Sequence, residues 1–137
     1  MVSEDFWSGN MDKERFEELV VEALAELPAE FQEKLENIDV VVADKPTPQQ
    51  LTRMGLKRNE TLLGLYEGVP LTKRGRGYGM VPPDKITIFQ KPIEAQCRRD
   101  REITREVQRV VQHEIAHYFG IGEASLQRIE GRDLESD

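Results

Sequence analysis

The sequence predicts an α+β fold. Two stretches with helical spacing of apolar residues lie near the start and toward the end of the chain. Three short runs with strand character lie between them, and Pro and Gly mark most of the joins. The chain has 137 residues, a net charge of −7, 38% apolar residues and 33% charged residues. A chain of this size and composition is expected to form a single domain (1–137), with residues 1–10 and 131–137 as mobile ends.

From Met11 the pattern is helical. Phe16, Leu19, Val20, Ala23, Leu24 and Leu27 recur at steps of three and four, and Glu14, Glu17, Glu18, Glu22 and Glu26 take the other face. Asp12 is the expected N-cap, and Pro28 ends the helix near Leu27 while opening a short one over 29–36. Ile38 to Ala43 is a β-branched run expected to form a largely buried strand. Residues 44–50 read as a Pro-rich turn, followed by a short helix over 49–58. Thr61 to Glu67 is the second strand, in which Gly64 marks a bulge or a close approach by another backbone. Residues 68–83 hold four Gly and three Pro and read as a long surface loop. Asp84 to Gln90 alternates with period two, which predicts a third strand with one solvated face, ended by Pro92. After a helical turn over 93–99, Ile103, Val107, Val110, Val111 and Ile115 predict a helix from about Arg101 to Phe119, stopped at Gly120. A last short helix is expected over 123–130.

Composition narrows the function classes. The single Cys excludes an internal disulfide and a four-thiolate zinc site. No run of eighteen apolar residues is present, so no membrane span is expected. The acidic start, Met1 to Trp7, lacks the basic-then-apolar order of a signal peptide, which makes a cytoplasmic location the default. The negative balance argues against nucleic acid as a partner, because phosphate affinity comes from clustered Lys and Arg. Cys97 is expected to be a buried small side chain.

Both histidines fall in one stretch, His113-Glu114-Ile115-Ala116-His117. On a helix, positions i and i+4 share a face, so the two imidazoles can converge on one ion. Glu114 is offset by about 100° from His113, where a general base stands to take a proton from the attacking water. Two His scattered at random over this length would show a four-residue gap roughly 1.4% of the time, and roughly 0.2% with Glu following the first, so the spacing favours a metal site over two ordinary helix residues. A hydrolytic zinc also needs a third protein ligand. With no other His, a carboxylate, Cys97 or a backbone group must supply it. Glu123 follows Gly120, which allows the chain to turn back under the helix end; Glu130 and Asp133 need a longer return. Glu123 equally suits the first turn of the last helix. Asp84 and Asp100 are candidate carboxylates behind the imidazoles, and Tyr66, Tyr78 and Tyr118 are candidate oxyanion donors or packing groups.

The run from His113 to Glu123 resembles the extended zincin signature, H-E-x-x-H-x-x-G-x-x-(H/D), with Glu in the last place. The wider chain resembles a small bacterial family of zincin-like metallopeptidases, the minimal zincins. The resemblance is carried by residues 16–20, 23–28, 39–42, Leu62 to Thr72 and Pro83 to Phe89. It implies a compact zincin-like core, in which a small mixed sheet of three to four strands packs on an N-terminal helix and the active-site helix. It also implies Zn2+ held by His113, His117 and Glu123, with Glu114 activating water for hydrolysis of a peptide or protein substrate. Two departures stand out: Glu is one methylene longer than Asp, and no Met follows Met80, so the Met-turn of metzincins is missing. The alternatives are a metal-dependent nuclease and a non-catalytic, metal-stabilised binding module. The sequence does not specify an oligomeric state.

Overall fold

The structure, a computed structural model, describes residues 11–56, 62–68 and 83–120. Among them are helices α1 (Lys13–Ala25), α2 (Ala29–Leu35), α3 (Pro48–Arg53), α4 (Gln90–Glu94) and α5 (Asp100–Phe119). Three strands, β1 (Ile38–Ala43), β2 (Gly64–Glu67) and β3 (Asp84–Phe89), form one sheet in the order β1-β3-β2. β1 runs parallel to β3 and β2 antiparallel to it, so the sheet is mixed, and the α+β class expected from the sequence holds.

The apolar periodicity explains the core. Phe16, Leu19 and Val20 of α1 and Ile103, Val107, Val111 and Ile115 of α5 are buried in one cluster with Ile86 and Ile88 of β3. Phe31 of α2 and Ile93 of α4 belong to the same cluster. Polar ties hold α1 in place around it. Gln108 Nε2 donates to Ala23 O at 3.0 Å, and Met11 N donates to Glu94 Oε1 at 2.8 Å.

Several local expectations shift for identifiable reasons. The buried and half-solvated strands are exchanged. β3 is central, and Thr87 and Phe89 are buried along with Ile86 and Ile88. β1 is an edge strand, in which only Ile38 is buried and Val41 is exposed. Strand order is a non-local property that a β-branched run does not encode. The third strand stops at Phe89, and Pro92 lies inside the first turn of α4 rather than ending a strand, because a first-turn residue has no helical partner for its N–H. Asp12 is the N-cap of α1 but makes no side-chain cap bond. α3 is shorter than expected and starts at a capping box, with Gln50 N donating to Thr47 Oγ1 (3.1 Å) and Thr47 N to Gln50 Oε1 (2.9 Å). Thr47-Pro48-Gln49-Gln50 spells that signal in the sequence. The expected helix over 123–130, residues 1–10 and 131–137, and the loop between residues 68 and 83 lie outside the described residues.

Candidate active site

α5 carries the site because its apolar stripe faces the core and leaves the opposite face at its C-terminal end exposed. His113 and His117 stand on that exposed face, one turn apart. The helix ends where the sequence predicts. Gly120 has φ +70°, a left-handed conformation that costs Gly little, and its N–H bonds back toward His117 O.

Glu114 points elsewhere. It is half-buried between α5 and the edge strand β2, and its Oε1 accepts the Tyr66 N–H at 2.9 Å. Burial raises its pKa; the Tyr66 N–H and the adjacent His117 and His113 oppose that rise. The carboxylate is therefore anchored by one oxygen beside the two imidazoles.

The approach of α5 to β2 is set by Gly64. A Cβ there would lie 2.5 Å from Val110 Cγ1 and 3.3 Å from the Thr87 carbonyl oxygen. The glycine marks a close approach, as expected, but by a side chain of the helix one turn before Glu114.

The tyrosines pack. Tyr66 donates its hydroxyl to Asp84 Oδ2 at 2.5 Å, and Asp84 is buried. Its ring stacks on Tyr118, with centroids 3.9 Å apart and planes at 18°, and Phe119 meets both rings edge-on. Asp100, a candidate partner for the imidazoles, instead binds Arg15 Nη2 at 2.5 Å at the opposite end of α5. Asp84 is engaged with Tyr66. Cys97 is buried, and burial, with Glu106 and Glu102 nearby, pushes its thiol up to about 11; that makes it a packing residue and not a thiolate ligand. Tyr78, Glu123, Glu130 and Asp133 lie outside the described residues.

Sequence reasoning missed the anchor of Glu114. It is a backbone amide, which no residue identity announces; the one hint was a strand whose glycine admits a helix.

The donor set fits half of a zinc site: two exposed imidazoles at i and i+4, flanked by an anchored carboxylate. Among the described residues no group of three or more His, Cys, Asp or Glu converges as a metal site. None of the described helices is long and apolar enough to cross a membrane.

A mixed sheet packed on a helix that bears His-Glu-x-x-His is the arrangement of a zincin. The family model for zincin-like metallopeptidases matches residues 35–132, most of the chain, and the protein belongs to that family. A solved structure described as a conserved hypothetical protein from Thermo thermophilus is similar in fold. It has a TM-score of 0.50 and 22% identity, covering 88% of this chain and 99% of that one. No curated protein matches the chain.

Proposed function

We propose that this chain is a zinc-dependent peptidase, with His113, His117 and Glu123 as metal ligands and Glu114 as general base. The observation that carries the reading is the anchored Glu114. One carboxylate oxygen is held by the Tyr66 N–H at 2.9 Å, which fixes the side chain and leaves the other oxygen to serve as the base. His113, His117 and Glu123 would hold the zinc, whose Lewis acidity would polarise the scissile carbonyl and bring the pKa of a bound water toward about 7. Glu114 takes the proton of the attacking water and delivers it to the leaving amine, so a peptide bond is exchanged for an acid and an amine. Among the described residues β2 pairs only with β3, and an edge strand of this kind can take up an extended peptide or protein segment. The length of the chain supports a single domain over 1–137, and a lone buried thiol suits a cytoplasmic setting.

The test combines metal content with turnover. Wild type is expected to bind one zinc per chain, and Glu123→Ala to lose it. Glu114→Gln should keep the metal while hydrolysis of a peptide library falls by about 10²–10⁴-fold. Full activity of Glu114→Gln refutes the general base. Cleavage of an RNA pool in place of peptides would make the protein a nuclease, and zinc binding without any cleavage would make it a binding module.

A further inference from the structure

At the C-terminal end of α5 lies a cleft of about 510 Å³, whose lining includes Glu33 and Lys34 of α2, Tyr66, Asp84, Tyr118 and Phe119. It joins the candidate active site through Tyr66, whose N–H anchors Glu114 and whose ring stacks on Tyr118. We propose that this cleft is a substrate subsite that takes a basic side chain, Lys or Arg, of the peptide; the proposal rests on the peptidase reading.

Three observations point to a cation. The first is aromatic surface. Tyr118 packs one face on Tyr66 and over Gly68, where a Cβ would collide with its ring, and yet remains 48% exposed; Phe119 remains 45% exposed. Both residues thus remain partly open beside the cleft, and aromatic rings attract ammonium and guanidinium groups. The second is charge. The walls hold two carboxylates, Glu33 on the rim and Asp84 in the wall, against one ammonium, Lys34. The C-terminal end of α5, the negative end of its dipole, also lies there. The third is a precedent within the molecule, since Lys34 Nζ already sits 4.7 Å from the Phe119 ring centroid. An incoming cation then has the exposed part of Tyr118 to cover and the Glu33 carboxylate to meet. An acidic side chain would face two carboxylates, and an apolar one would strand the polar rim.

The experiment uses the full chain in two arms. In the first, zinc-loaded wild type digests a peptide library. Enrichment of Lys and Arg at one position near the cleaved bond is expected, falling about three- to tenfold in Tyr118→Leu and in Glu33→Gln. In the second, Glu114→Gln is titrated by calorimetry with one cleavable-length peptide carrying Lys, norleucine or Glu at that position. If the library yields no cleavage, the peptide is a five-residue alanine host with the variable residue at its centre. Lys binding tighter than norleucine, with the order reversed in Glu33→Lys, supports the subsite. Equal binding of all three, or preference for norleucine or Glu, overturns it. Failure of cleavage in the first arm refutes the peptidase reading alone, because the second arm measures the cleft without turnover.

Discussion

Replacing Gly64 by Ala tests how the general base is positioned. The added Cβ would stand 2.5 Å from Val110 Cγ1 and 3.3 Å from Thr87 O. Carbon atoms rest at about 3.5–4.0 Å, so a retreat of about 1 Å is needed. Val110 cannot swing away easily, because its β-branched side chain is stiff on a helix and buried. The Thr87 carbonyl belongs to the ladder partner strand and cannot yield either. The helix must therefore move off the strand. Overpacking of this kind costs about 1–3 kcal/mol, and restricting the unfolded chain returns about 0.4–1 kcal/mol. A net loss of about 1–2 kcal/mol is expected. The same retreat would stretch the Tyr66–Glu114 bond from 2.9 Å to about 4 Å, beyond hydrogen-bonding range. Urea denaturation reads the first effect, and amide hydrogen exchange at Tyr66 reads the second. Val110→Ala removes the offending methyl, so the double variant should recover much of the stability and the Tyr66 protection, a coupling of about 1 kcal/mol or more. If Gly64→Ala is as stable as wild type and its Tyr66 amide is equally protected, the helix does not depend on this contact and the account of how Glu114 is placed is wrong.

Two further variants probe the surroundings. Tyr66→Phe deletes the hydroxyl that donates to the buried Asp84 while keeping the Tyr66 N–H. It should cost about 1–3 kcal/mol in chemical denaturation, and unchanged stability would show that the Asp84 carboxylate does not need that donor. The Cys97 thiol, raised by burial to about 11, ionises near 8.5–9 in the unfolded chain. The folded state thus holds its proton to higher pH, so this stabilising contribution is complete below about pH 9 and is lost as pH rises toward 11. Cys97→Val should flatten the alkaline limb of the stability curve, and alkylation of native Cys97 at about pH 8 should be far slower than of a free thiol; fast labelling would contradict the burial.

Most helices were legible because their signals are local. The steps of three and four in α1 and α5 are written in neighbouring residues, and Gly120 stops α5 where a left-handed residue is required. The candidate metal pair was legible for the same reason, since i and i+4 share a face on any helix. The strands were legible as elements but not in their roles. Ile38 to Ala43 is the more apolar run by sequence, yet Asp84 to Phe89 is central, because burial of a strand depends on what pairs with it on each side. The capping box of α3 is also local, but Thr47 and Gln50 sit in a Pro-rich run that reads equally well as a turn.

The sequence by itself determined the chemistry that the helix offers: two imidazoles one turn apart, a carboxylate beside the first, and a glycine that ends the helix just past them. Periodicity and torsional preference act over a few residues, so they can be read without a fold. Only the tertiary structure decided what holds the carboxylate and what lies next to it. The Tyr66 amide reaches Glu114 across 48 positions of sequence, and the cleft is assembled from α2, β1, β2, β3 and the end of α5. Such contacts form when the core packs. They depend on strand order, on a missing Cβ at Gly64 and on the burial of apolar faces, none of which belongs to a single stretch of chain.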